Sequence, residues 1–134
     1  MGGRAPNMNG HATKGAVAES AVIAALTDMG YVCSLPIVHA ARYDLVVEID
    51  SLIKIQVKHA YTGADGKLRT ELRGRDSYRG KEPYTADEVD VFAVYDGESV
   101  YWIPFEEAPS TGIKRPAEWY QQYELSTQLP NERL

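Results

Sequence analysis

Three polar side chains within one apolar stretch of this chain have types and spacing that could do chemistry together: Asp44, Gln56 and Lys58. A carboxylate and an amide oxygen are ligands that a hard divalent cation takes. A lysine ammonium beside them can orient a water or stabilise charge growing on a phosphate. The three lie in residues 43–58, Tyr-Asp-Leu-Val-Val-Glu-Ile-Asp-Ser-Leu-Ile-Lys-Ile-Gln-Val-Lys, where two β-branched runs flank a polar Asp50-Ser51. That pattern predicts a β-hairpin with strands over 43–49 and 53–59. Alternation puts Tyr43, Leu45, Val47, Ile49, Ile53, Ile55 and Val57 on one face and Asp44, Gln56 and Lys58 on the other. A three-residue turn at Asp50-Ser51-Leu52 would pair Ile49 with Ile53, setting Asp44 opposite Lys58 and diagonal to Gln56. A one-residue slip would separate them. The same trio also suits a solvated sheet face with an Asp44–Lys58 surface salt bridge, a contact worth little.

The elements around the hairpin must position that trio. Thr13 reads as the N-cap of a helix in which Val17, Ala18, Val22, Ala25, Leu26 and Met29 recur at helical spacing, with Gly30 as its stop. Glu19 is the anomaly. Its neighbours one turn away are Gly15, Ala16, Val22 and Ile23, so it falls on or beside the face that packs on the sheet. A carboxylate there is costly unless paired or bound to metal, although its own methylenes could carry it to solvent. Residues 31–35 read as a strand holding a small buried Cys33, followed by a loop in which His39 is solvated or touches a phosphate. His59 alternates away from Lys58 and reads as structural.

Residues 61–83 hold Lys67, Arg69, Arg73, Arg75, Arg79 and Lys81, six of the fourteen basic residues, against Asp65, Glu71, Asp76 and Glu82. A local basic surplus on an acidic chain is where phosphate contacts are expected, and a solvated loop is the plainer alternative. Asp65-Gly66 could turn a second hairpin with 67–72 as the return strand. Further on, Thr85 caps a single helical turn to Glu88, and 89–95 and 99–103 read as strands joined by a type I′ turn at Asp96-Gly97. The tail from 106 onward carries Trp119, Tyr120 and Tyr123, expected to pack on Trp102 and close an edge of the core, or to form a subunit contact, rather than to stack on bases.

A length of 134 residues suits one domain, read as 13–134 after a disordered lead over 1–12. A single cysteine excludes an internal disulfide and a thiolate zinc cluster. The absence of a long apolar run or a secretory pattern points to a cytoplasmic protein without a membrane span. The net charge of −5 argues against a generic nucleic-acid coat. It leaves room for a nuclease, because a carboxylate site that binds metal is acidic until the metal arrives.

The order of helix with Glu19, strand, strand with Asp44, strand with Gln56-Val57-Lys58 and a later strand resembles the PD-(D/E)xK nuclease superfamily. The wording is similar too: Lys14-Gly15 leading to Ala18-Glu19, Gly30-Tyr31, Tyr43-Asp44-Leu45-Val46, Ile55-Gln56-Val57-Lys58, Asp90-Val91-Phe92-Ala93-Val94-Tyr95 and Tyr101-Trp102-Ile103-Pro104. These blocks are most like the branch of intron-encoded homing endonucleases, with archaeal Holliday-junction resolvases more distant. The resemblance covers roughly residues 13 to 105. It departs from the family pattern at Gln56, where an acid is usual, and at Tyr43, where proline is usual.

The resemblance implies an α/β, restriction-endonuclease-like domain, with a central mixed sheet and an N-terminal helix on it in an αβββ then αβ order. It implies a Mg²⁺-dependent endodeoxyribonuclease, with Mn²⁺ as a substitute, in which Asp44, the Gln56 amide and the Val57 carbonyl hold the cation. Glu19 would hold a water or a second ion, and Lys58 would steady the attacking water or the transition state. DNA, as duplex or branched junction, would be met by Lys14, Lys67, Arg69, Arg73, Arg75, Arg79 and Lys81. A homodimer or homotetramer would supply one site per strand. The rival reading is a nuclease-fold module that binds DNA or protein without cutting, to which Gln56 lends weight.

Overall fold

Val91–Tyr95 and Val100–Pro104 each carry four consecutive buried residues, and such runs require apolar cover on both faces. A computed structural model describes residues 10–38, 41–76 and 80–133, and the side chains of all of these except 11, 12, 75, 76 and 80. His39, Arg79 and residues 1–9 of the expected lead lie outside the described residues, as does the side chain of Arg75. In chain order the elements are α1 (Gly10–Asp28), β1 (Cys33–Ser34), β2 (Leu45–Ile49), β3 (Ser51–His59), β4 (Tyr61–Thr62), β5 (Leu68–Glu71) and β6 (Arg73–Asp76). They continue with β7 (Gly80–Pro83), β8 (Val91–Tyr95), β9 (Val100–Pro104), β10 (Gly112–Arg115), α2 (Ala117–Gln121) and α3 (Leu125–Gln128). The main sheet has the order β1-β2-β3-β8-β9, with β3 and β8 parallel and the other pairs antiparallel.

Alternation along these strands produces two apolar layers. On one face Ala18, Val22 and Leu26 of α1 pack against Leu45, Val47, Ile55, Val57, Val91, Ala93 and Trp102. On the other, Phe92, Val94, Tyr101 and Ile103 pack against Ala60, Leu68, Leu72, Ile113, Tyr120 and Tyr123. The second layer covers β8 and β9 but not the β2–β3 half of the sheet, where Val46, Lys54, Gln56 and Lys58 are only half-buried. Polar residues of β3 therefore reach a partly open surface.

Parallel strands need a long crossover, usually helical. Here the path from β3 to β8 is built of two hairpins instead, β4–β5 and β6–β7, with a turn at Thr85 to Glu88 in which Thr85 N–H donates to Glu88 Oε1 at 2.9 Å. The β4–β5 hairpin turns at Asp65-Gly66 as expected, with Gly66 at φ 79°. The β6–β7 hairpin has no turn dipeptide of the usual kind and was not foreseen.

Several expectations are corrected. The helix starts at Gly10 rather than after Thr13, so Thr13 lies inside it; its end is as expected, with Gly30 at φ 96° and Tyr31 N–H bonded to Leu26 O at 3.0 Å. In the β2–β3 hairpin the turn centres on Asp50, at φ 60°, and Ile49 pairs with Ser51 instead of Ile53. This two-residue shift preserves the faces, but sets Asp44 level with Gln56 and Val57 rather than Lys58. The β8–β9 link is a four-residue loop, not a two-residue type I′ turn, because Tyr95 pairs with Val100 and Asp96 Oδ1 accepts from both Glu98 and Ser99 N–H.

Trp102 joins the α1 layer beside Leu125, whereas Trp119, Tyr120 and Tyr123 belong to the opposite layer, as alternation along β9 requires. The tail is also more than an appendage. β10 pairs with β5, and Tyr31 Oη donates to Pro130 O at 2.6 Å.

Tyr120, fully buried, shows how the tail is fastened: its hydroxyl lies 2.9 Å from Thr70 Oγ1 and 3.2 Å from Leu68 O. Tyr120→Phe removes that polar tie while keeping the ring. A loss of about 1–2 kcal/mol is expected in urea unfolding.

Candidate active site

The site starts from the place where β2 gives out. Asp44 immediately precedes that strand, and it is fastened to β3 twice: its own N–H donates to Ile55 O at 2.8 Å, and its Oδ2 accepts from Val57 N–H at 2.9 Å. One carboxylate oxygen is thereby fixed and Oδ1 remains for another ligand. Gln56 and Lys58 flank Val57 on the half-covered face, as alternation required. The Gln56 amide lies against the neighbouring carbonyl, with Nε2 3.4 Å from Val57 O. Rotating that amide by half a turn would present its oxygen in the same place.

Lys58 meets the open end of the β6–β7 hairpin, where Arg73 begins β6 and Tyr84 follows β7. Its Nζ donates to Arg73 O at 3.3 Å and to Tyr84 Oη at 3.4 Å, and stands 5.1 Å from the centre of the Tyr84 ring. The direct Asp44–Lys58 salt bridge of a plain surface is not formed; among the described residues the lysine's hydrogen-bond partners are these two. Burial lowers the ammonium's pKa, and the charges of Asp44 and Glu71 offset this in part.

Tyr84 and Arg42 went unnoticed in the sequence. The Arg42 guanidinium sits 4.3 Å over the Tyr84 ring, and Nη2 donates to Glu82 O at 3.3 Å. Arg42 Nε is 3.4 Å from Glu88 Oε2 but makes no hydrogen bond of acceptable geometry among the described residues. Burial pushes the Tyr84 hydroxyl up to about 12, so it stays protonated at neutral pH. No sequence spacing links residue 84 to 58. The contact exists only because β6 and β7 pair.

Glu19, half-buried on α1, comes into electrostatic range of Asp44. Burial raises its pKa, and the Asp44 charge raises it further. Asp44 is itself raised by burial, against the opposing effects of the Val57 N–H and Lys58. Two carboxylates brought together at a cost, beside an amide and a carbonyl, are an all-oxygen donor set that fits a hard divalent cation. A cluster of three or more His, Cys, Asp or Glu side chains of metal-binding geometry is absent among the described residues, so an ion held here would draw on the amide and carbonyl as well.

The basic residues of 61–83 are less free than their count suggests. Arg69 Nη2 pairs with Asp65 at 3.0 Å, Arg73 Nε with Glu71 at 2.9 Å, and Lys81 Nζ with Glu71 at 3.4 Å. Lys67 and Lys14 are exposed.

Comparison with known proteins defines the class. The PD-(D/E)XK endonuclease family matches residues 8–122, and the chain belongs to that family. Among solved structures, a bacterial homing endonuclease, I-Ssp6803I, superposes with a TM-score of 0.68 at 24% identity, covering 79% of this chain and 78% of that one. The two share the restriction-endonuclease-like fold, in keeping with the homing-endonuclease-like blocks of the sequence. No curated protein matches the chain. No helix among the described residues is long and apolar enough to cross a membrane.

Two substitutions test the packing of the site. A Cβ on Gly74 would stand 2.6 Å from Tyr84 Oη, so Gly74→Ala must displace the ring that faces Lys58. A loss of about 1–3 kcal/mol is expected in denaturant unfolding. Hydrogen bonding by Arg73, against the cost of burial and helped by Lys81, holds Glu71 down to about 2 from its usual 4.5. A depressed carboxylate contributes stability above its unfolded pKa and loses it as pH falls through the folded one. The stability difference between the native chain and Glu71→Gln should therefore be full above pH 4.5 and vanish on approach to pH 2 in a melting series.

Proposed function

We propose that this protein is a metal-dependent endodeoxyribonuclease that hydrolyses phosphodiester bonds of duplex DNA. One observation carries the reading: Asp44 is clamped to the Val57 N–H at 2.9 Å, with Gln56 and Lys58 on either side of that same residue. This is the spatial form of the family's acid, ligand and lysine order, with glutamine in the acidic position. Asp44, Gln56, the Val57 carbonyl and Glu19 would hold Mg²⁺, or Mn²⁺ in its place. When bound, the ion supplies Lewis acidity toward the scissile phosphate and a lowered pKa for attacking water.

The chain's own residues do the rest. Asp44 fixes the site's position relative to the sheet. Lys58, partly desolvated and held by Tyr84 and Arg73 O, presents positive charge where the phosphorane gains negative charge. Glu19 orients the water or accepts its proton as the new P–O bond forms and the leaving oxygen departs. The fold shared with a bacterial homing endonuclease favours a duplex read through its grooves over a branched junction read by shape. Lys14, Lys67, Arg69, Arg73, Arg75, Arg79 and Lys81 are the proposed DNA contacts. One site per chain cuts one strand, so two copies would act on a duplex.

The test is cleavage of supercoiled duplex and of a four-way junction with Mg²⁺, Mn²⁺ or chelator. Cutting of duplex that needs the ion is expected. Asp44→Asn and Lys58→Ala should each lower the rate by about 10³-fold or more with an unchanged melting temperature, since the first removes a charge that would hold the ion and the second a charge aimed at the transition state. Full activity in either variant would refute the assignment, and cutting of the junction alone would replace duplex by branched DNA.

A further inference from the structure

Arg69, one of the proposed DNA contacts, belongs to a group of charges apart from Asp44, Gln56 and Lys58. Alternation turns Leu68 and Thr70 of β5 into the core and Arg69 and Glu71 outward. Pairing then places Arg69 opposite Tyr61 of β4 on one side and opposite Lys114 of β10 on the other. Arg69 Nη2 and Lys114 Nζ converge on a single oxygen, Asp65 Oδ2, at 3.0 and 3.5 Å. The other oxygen of Asp65 is engaged elsewhere: Oδ1 accepts from Lys67 N–H at 3.0 Å and holds the β4–β5 turn.

This arrangement edges an open cleft of about 280 Å³, lined among others by Tyr61, Arg69, Arg73 and Lys114. The cleft approaches the candidate site at Arg73, which lines it and whose carbonyl accepts from Lys58 at 3.3 Å. All three members of the triad are accessible, with side-chain exposures of 33% for Arg69, 36% for Asp65 and 53% for Lys114. A ligand can therefore reach them without disturbing the core.

Resting on the nuclease reading above, we propose that Asp65 Oδ2 holds the place of a DNA backbone phosphate. On binding, Arg69 and Lys114 exchange that carboxylate oxygen for a phosphate oxygen of the strand lying along the cleft. A phosphate offers the same acceptor geometry, and Arg and Lys bind it with charge-assisted hydrogen bonds as they bind a carboxylate. In the free protein Asp65 offsets one of the two positive charges facing it, which restrains indiscriminate attraction to nucleic acid. Lys114, contributed by the tail, joins the DNA surface only because β10 pairs with β5.

Binding of random-sequence duplex is measured by fluorescence anisotropy across a salt series, with Mg²⁺ present and in a Lys58→Ala background so that cutting does not intervene. Lys114→Gln should weaken binding several-fold and flatten the slope of log K against log salt by about one. Asp65→Asn keeps an acceptor for the Lys67 N–H while removing the competing charge. It should tighten binding and leave the slope at least as steep. Opposite signs from the two variants are the signature, because a merely structural triad would make both bind worse. Weakening by both, or no change in either, overturns the proposal while leaving the nuclease reading standing if the native chain cuts DNA. A native chain that neither binds nor cuts DNA overturns both.

Discussion

The hydrogen bond from the Val57 main chain to the Asp44 carboxylate is the contact on which the site depends. Main-chain groups of a strand are placed by the sheet and not by side-chain rotamers, so a carboxylate anchored to one inherits the rigidity of β3. That strand is in turn held by β2 on one side and β8 on the other. Packing on α1 turns Ile55 and Val57 inward, which leaves Gln56 and Lys58 no choice of face. The helix that enforces this parity also carries Glu19 to the same end of the sheet. One layer of apolar contacts thus aims four polar groups whose mutual repulsion and desolvation would otherwise scatter them.

The crossover from β3 to the parallel strand β8 is the second constraint. A helix would span it with fewer exposed polar groups, yet the chain spends residues 60–90 on two hairpins. Those hairpins supply what the main sheet lacks. β5 and the residues around it build the second apolar layer under β8 and β9, while the open end of β6 and β7 meets Lys58. Gly74 must be small for this to work, because the Tyr84 hydroxyl occupies the space its side chain would need. The result is a lysine shielded enough to lose part of its hydration and still open to a ligand from the uncovered half of the sheet.

What could be read from the sequence follows the reach of each physical signal. Period-two alternation identified the faces of β2 and β3, β-rich runs around a turn identified β8 and β9 as strands, and helical spacing identified α1 and the odd position of Glu19. Parity made the grouping of Asp44, Gln56 and Lys58 legible even though the register itself was misjudged by two residues. Glycines at Gly30 and Gly66 marked a helix end and a turn because their left-handed backbone leaves a trace in composition. Tyr84 and Lys114 left no such trace. Each acquires its place through strand pairing between segments that share no spacing rule, β6 with β7 and β5 with β10. The tail aromatics were recognised as core, but Trp102 was assigned to the wrong layer because alternation along β9 was not carried through to its neighbours.

The distribution of charge reconciles an acidic chain with an anionic substrate. Arg69, Arg73, Lys81 and Lys114 share the carboxylates of Asp65 and Glu71, so half of their charge is cancelled toward the outside. Glu19 and Asp44 are in the opposite condition. Neither is in an ion pair among the described residues, and the charge of Asp44 makes ionisation of Glu19 harder. A phosphate approaching Lys58 would meet these carboxylates as well, and at such range their repulsion rivals the attraction of one lysine. In the nuclease reading the donor set must therefore be neutralised before the scissile phosphate can settle, whereas the flanking cations need only exchange one oxygen anion for another. Affinity along the cleft and competence at the site are separate electrostatic problems, solved on neighbouring surfaces that meet at Arg73.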